Sequence, residues 1–130
     1  MRILGIDYGE KKIGVALSSP DGAFALPYGV FANNRDTVDH ISVLCHEEGV
    51  SEIVLGESLD FHGKPNPVQE KIEIFKKELE EATRLPVLYE QEILTTKGAA
   101  HIQGKHKTID ASAAALILET FLERRRRKKT

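Results

Sequence analysis

The chain opens with two short apolar runs, Arg2-Ile-Leu-Gly-Ile-Asp7 and Lys12-Ile-Gly-Val-Ala-Leu-Ser18, joined by Tyr-Gly-Glu-Lys. Runs of this length bounded by turn residues read as two strands and a tight turn. Phe24 to Phe31 reads as a third strand. Pro27 within it has no N–H to give a ladder, which assigns the strand to a sheet edge or a bulge. Three strands joined this way form a meander. The apolar period then lengthens from two to between three and four. After Asn33 and Asn34, residue types that favour helix N-caps, Val38, Ile41, Leu44 and Cys45 recur at helical spacing until Gly49 stops them. Ile53-Val-Leu-Gly56 reads as a buried strand. Pro65 to Pro67 introduces a second helix, with Val68, Ile72, Phe75 and Leu79 on one face. Pro86-Val-Leu-Tyr89 is the next strand, Thr95 to Ile102 a short helix, and 104–107 a loop. Asp110 to Glu123 is a long helix whose apolar face includes Ala111, Ala114, Leu118, Phe121 and Leu122. The pattern predicts an α/β domain: a five-stranded mixed sheet, a three-strand meander followed by parallel strands, with helices on both faces.

At 130 residues the chain is long enough for one self-sufficient core, and no linker divides it. No apolar run reaches the roughly 18 to 20 residues needed to cross a bilayer, and the first residues lack the three regions of a signal peptide. A cytoplasmic protein with no membrane segment is expected. Cys45, the single cysteine, rules out an intramolecular disulfide and a multi-cysteine zinc site, and its helical neighbours assign it to the core. The formal charge of −2 hides an uneven distribution. Residues 124–130, Arg-Arg-Arg-Arg-Lys-Lys-Thr, hold six of the eighteen basic residues and none of the twenty acidic ones, which leaves −8 on residues 1–123. The expected organisation is a domain over 1–123 followed by a basic tail over 124–130. Such a tail either gathers phosphates without reading sequence or is simply solvated.

Asp7 ends the first apolar strand, and Gly9 follows where a ligand or metal can approach the backbone closely. Glu90-Gln-Glu92 follows the strand 86–89, and alternation puts both glutamates on one side of it. Asp110 opens the last helix. Taken singly, these are a turn-initiating aspartate, a polar strand end and an N-cap. Taken together, carboxylates from the first strand, a later strand and the final helix can converge on hard divalent cations, the arrangement of two-metal phosphodiester hydrolysis. Glu57, after a buried strand expected beside the first, and Glu90 are rivals to Glu92. Lys11 and Lys12 are candidate phosphate contacts. His101 and His106 precede Asp110 by nine and four residues and are candidate proton carriers.

The segment Gly5 to Ser18 resembles the opening motif of the YqgF (RuvX) family, Holliday-junction resolvase-like proteins also described as pre-16S rRNA nucleases. Three further blocks resemble that family in order: Val54-Leu-Gly56 with Leu59-Asp-Phe-His-Gly63, Glu92 with Leu94-Thr-Thr96, and Ile109 to Leu118. The resemblance implies an RNase H-like fold, with Asp7, Glu92 and Asp110 as catalytic metal ligands and Mg2+ or Mn2+ as cofactor. Gly9, Lys11, Lys12, Lys105 and Lys107 are the expected substrate-binding residues. Gln91 stands where the family usually has Asp, Ile93 where it has Arg, and Glu57-Ser58 where it has Leu-Pro. Ile93 cannot supply the cation an arginine would.

The leading expectation is a divalent-metal-dependent endonuclease acting on structured nucleic acid, an rRNA precursor or branched DNA, as a monomer or weak homodimer. Ribosome biogenesis is the role that the resemblance implies. A Holliday-junction nuclease and a catalytically inactive nucleic-acid-binding module are the alternatives, separated by metal-dependent cleavage. The opening motif is also similar to the phosphate-binding hairpin of the actin, Hsp70 and sugar-kinase ATPases. Those proteins enclose nucleotide between two such domains, and this chain shows no second Asp-x-Gly-Gly hairpin.

Overall fold

The computed structural model describes residues 2–57, 67–91 and 111–128. The elements are β1 (Arg2–Tyr8), β2 (Lys12–Ser18), β3 (Ala25–Ala32), α1 (Thr37–Glu48), β4 (Val50–Glu57), α2 (Pro67–Thr83), β5 (Val87–Gln91) and α3 (Ala111–Lys128). They form one sheet of order β3-β2-β1-β4-β5. β2 is antiparallel to β1 and to β3, whereas β4 is parallel to β1 and β5 to β4. This is the expected mixed sheet. The short helix at 95–102 and the loop at 104–107 lie outside the described residues.

Both faces of the sheet are covered, which explains why the inner strands read as nearly unbroken apolar runs. Leu4, Ile6, Ile13, Val15, Ile53 and Leu55 pack against Ile41, Leu44 and Cys45 of α1 and Ile72, Phe75 and Leu79 of α2. Ile3, Ala16 and Val54 face the other way, against Ala114, Ile117, Leu118, Phe121 and Leu122 of α3. Cys45 belongs to the first cluster, and burial pushes its thiol up to about 11, so it serves as a core residue.

Local chemistry sets the element ends. Gly49 closes α1 in the left-handed conformation, φ 67°, its N–H donating to the Cys45 carbonyl. The two asparagines expected as caps act one step earlier. Asn34 Oδ1 accepts the Asp36 N–H at 2.8 Å, while Asn33 donates its side-chain amide to the Gly9 carbonyl at 2.8 Å and its own N–H to the Lys11 carbonyl at 2.9 Å. α1 therefore starts only at Thr37, and Asn33 ties the end of β3 to the β1–β2 turn. Both expectations for Pro27 hold: β3 is an edge strand, and its pairing skips a residue where Val15 opposes Gly29 but Ala16 opposes Pro27.

α3 continues past the expected end at Glu123 through Lys128. Arginine is a good helix former, and cations near a helix C-terminus suit its dipole. Arg125 adds a tertiary tie, donating from Nη1 and Nη2 to the two carboxylate oxygens of Glu52 at 2.9 and 2.7 Å, with its guanidinium 4.5 Å from the Phe121 ring centroid. The hydrogen bonds from Arg125 hold the Glu52 carboxyl below its ordinary value of 4.5. A depressed folded pKa contributes stability above the unfolded value and loses it as pH falls through the folded one. Glu52→Gln should thus cost about 0.5 to 1 kcal/mol at neutral pH. The difference in Tm from wild type should shrink below pH 4.5 and vanish in stronger acid.

α3 packs tightly over Gly5. A Cβ there would lie 2.8 Å from Leu118 Cβ and 3.0 Å from the Ala114 carbonyl oxygen. Because the second atom is backbone, it cannot swing aside, and Gly5→Ala should destabilise by about 1 to 3 kcal/mol, read as a lower urea midpoint with unchanged m-value. Among the described residues no helix is long and apolar enough to cross a membrane.

Candidate active site

The carboxyl ends of the parallel strands β1, β4 and β5 carry the candidate residues Asp7, Glu57 and Glu90. Alternation along β1 sends Ile3, Gly5 and Asp7 toward α3 and Leu4, Ile6 and Tyr8 toward α1 and α2. Asp7 is fully buried at 0% exposure. Its partner across the β1–β2 ladder is Gly14. On the other side, the parallel register pairs Ile6 with Leu55, which brings Gly56 level with Asp7, and Gly56 in turn pairs with Glu90. The carboxylate therefore stands in a row between two residues that have no side chain. α3 runs antiparallel to β1, with Ala114 and Leu118 over Gly5 and Arg125 reaching Glu52 in the Ile3 row. Its N-terminal end, beginning at Ala111, overhangs the end of β1 that carries Asp7, and the positive end of the helix dipole favours negative charge there.

Glu90 is the second buried carboxylate of the described residues, at 4% exposure. It lies on the face of Asp7, since Val87 and Tyr89 pack on the α1–α2 side. Arg124 of α3 donates from Nη2 to Glu90 Oε1. Burial raises the Glu90 carboxyl above the usual carboxylate range, and the Arg124 guanidinium works against that rise. Glu57, by contrast, shares the phase of Ile53 and Leu55 and faces α2, where its charge bears on Tyr89. Of the two rivals to Glu92, one shares the face of Asp7 and the other does not.

The β1–β2 turn is held from two sides. Asn33 binds the carbonyls of Gly9 and Lys11, and Lys71 of α2 pairs with Glu10. Lys11 and Lys12 are both exposed, and Lys12 shares the phase of Gly14, on the face of Asp7. Glu92, Asp110, Lys105, Lys107, His101 and His106 lie outside the described residues. Within the described residues, no three His, Cys, Asp or Glu side chains gather as a metal site. The donor type nevertheless fits a hard cation: buried carboxylate oxygen on Asp7, glycine on either side of it, and neither thiolate nor imidazole in the row. Sequence reading missed Arg124 as the partner of Glu90. It also missed Asn33 as the anchor of the turn, although an asparagine just past a strand is a signal for such a bond.

Solved structures of the same architecture include Thermus thermophilus RuvC in complex with Holliday junction substrate, at TM-score 0.63 and 16% identity over 96% of either chain. The Fowlpox virus resolvase with Holliday junction DNA follows at TM-score 0.55 and 12% identity, over 95% of this chain and 97% of the other. The fold is RNase H-like. A family model described as "RuvX: Holliday junction resolvase" matches residues 1–124. The "Putative pre-16S rRNA nuclease" of Syntrophus aciditrophicus is 38% identical over 133 aligned positions, 95% of this chain and 89% of that one. The protein of the same description from Syntrophomonas wolfei is 32% identical over 95% of this chain and 94% of its own. The chain belongs to the RuvX family, and with it to the nucleases that hydrolyse phosphodiester bonds.

Proposed function

We propose that this chain is a divalent-metal-dependent endonuclease whose substrate is a structured RNA, the precursor of 16S rRNA, cleaved in the cytoplasm during ribosome biogenesis by a monomer or weak homodimer. The observation that carries the reading is the fully buried Asp7 at the carboxyl end of the central strand, in a chain matched to the family over residues 1–124. Asp7, Glu92 and Asp110 are the proposed ligands, and Asp110 directly precedes the helix end that overhangs Asp7. Magnesium or manganese, when bound, would supply the positive charge that phosphodiester hydrolysis needs at the attacking water and the leaving oxygen. The chain's own part would be to hold an oxygen ligand on the buried Asp7 and to draw the substrate in through Lys11, Lys12, Lys105 and Lys107, with Gly9 leaving the backbone open to it. On the −8 charge of residues 1–123, such local cations offset the repulsion of an incoming phosphate.

The family's description as Holliday junction resolvase favours a branched DNA as the second reading. The two are separated by offering the purified protein an RNA spanning the 5′ end of precursor 16S rRNA and a four-way DNA junction, each with magnesium or with EDTA. Magnesium-dependent cleavage of the RNA is expected. Cleavage of the junction alone would transfer the assignment to DNA, and binding of either without turnover would make the chain an inactive binding module.

A further inference from the structure

The four consecutive arginines at the end of α3 differ in what holds them. Arg125 spends both Nη atoms on Glu52. Arg126 reaches the opposite flank, giving Nη1 to the Ala23 carbonyl at 3.0 Å and Nη2 to Glu119 at 3.2 Å. Arg127, 78% exposed, donates to Glu123 one turn back on its own helix. Arg124 runs toward β5, where Glu90 is the one group it bonds among the described residues, and 52% of its side chain stays in solvent. A guanidinium carries five N–H donors in a planar fork, so its exposed edge keeps donors that the ion pair does not use.

We propose that Arg124, clamped by the buried carboxylate of Glu90 on the face of Asp7, is a binding residue for the substrate's phosphodiester backbone. The inference rests on the nuclease reading above. Asp7 and Glu90 lie two strands apart in one row, about 9 to 10 Å. Arg124 is therefore placed for a phosphate neighbouring the one hydrolysed, not for the reacting phosphate itself. The clamp matters because a free arginine loses much rotamer freedom on binding, whereas one already held by Glu90 loses less. The pairing is also a poor choice for stability alone. A carboxylate taken almost wholly out of water to meet a half-exposed guanidinium gains little over an apolar contact, so retaining it at the rim of the site points to a ligand.

The test compares Arg124→Ala with Arg126→Ala, which removes the same charge from the opposite flank of the same helix. Binding of a fluorescein-labelled RNA stem-loop with single-stranded extensions is followed by anisotropy in EDTA across about 50 to 200 mM salt. Arg124→Ala should weaken Kd by roughly three- to tenfold and reduce the slope of log K against log salt by about 0.7 to 0.9, one lost phosphate contact. Arg126→Ala should leave the slope within error, and Arg124→Lys should keep the slope while recovering only part of the affinity. Because Arg124→Ala leaves a buried carboxylate without its partner, the double variant Arg124→Ala/Glu90→Gln is measured beside it and should show the same slope change. Equal effects at Arg124 and Arg126, or an unmoved slope at Arg124, would overturn the assignment while wild-type cleavage, and the nuclease reading with it, stood. A wild-type protein that neither binds nor cuts RNA or junction would overturn both.

Discussion

Asp7→Asn is expected to abolish metal-dependent cleavage, lowering kcat by well over the ten- to hundredfold typical of losing a group that only orients a metal ligand. The amide matches the carboxylate in shape but is a weaker ligand for a hard cation and carries no charge to balance it. The fold should survive. Asp7 is fully buried, and Asn matches it in volume, so the change leaves no cavity and costs at most a bond that one carboxylate oxygen accepts. In EDTA the variant should therefore unfold in a single cooperative transition within a few degrees of wild type. In magnesium the two should separate, because wild type gains RT ln(1 + [Mg2+]/Kd) of stability from an ion that binds only the folded state and Asp7→Asn does not. That thermal shift reports on the site independently of turnover. A variant that cleaves at the wild-type rate, or whose Tm still rises with magnesium by the wild-type increment, would remove Asp7 from the metal site.

The sheet was legible because its inner strands are buried on both faces and carry short runs free of polar side chains: Ile3-Leu4, Ile13 to Leu17 with only Gly14 between, and Ile53 to Leu55 show no helical period. The edge showed itself as well, since Pro27 has no N–H to lose. What stayed hidden was the phase of one strand against another. Alternation within β4 and within β5 follows from sequence, but that Glu90 shares the face of Asp7 while Glu57 takes the opposite one depends on Gly56 pairing with Glu90 in a parallel register. No local signal encodes that pairing. The arginine run was legible only as charge. Composition leaves Arg-Arg-Arg-Arg-Lys-Lys either a phosphate-gathering tail or a solvated end, whereas on a helix four successive residues point about 100° apart. Each arginine therefore meets different ground: Glu90, Glu52, Glu119 and Glu123 in turn. Glu90 and Glu52 are brought by tertiary packing, Glu119 and Glu123 by α3 itself, and deleting 124–130 would remove structural ties of α3 along with charge. The choice of Glu92 and Asp110 as ligands rests on the sequence blocks that carry them.

Glu92→Gln should fail as severely as Asp7→Asn if the metals are held by Asp7, Glu92 and Asp110. The comparison with the two nearby glutamates makes that expectation specific. Glu57 faces α2 on the far side of the sheet from Asp7. Glu57→Gln should thus leave kcat within about twofold of wild type, and any effect should fall on KM. Glu90 shares the face of Asp7 and carries Arg124, so Glu90→Gln should raise KM more than it lowers kcat, by loosening a substrate contact and not a ligand. The order of damage to kcat is therefore Glu92 well ahead of Glu90, with Glu57 last. Strand geometry gives Glu90 a real claim of its own. It is buried, level with Asp7 and separated from it only by a glycine, and a metal-bridging carboxylate at that position would turn Glu90→Gln into a kcat variant. Manganese soaked into crystals separates the two cases by inspection, because an ion ligated by Asp7 and Glu90 but not by Glu92 would transfer the second ligand to β5 and leave Arg124 beside the reacting phosphate.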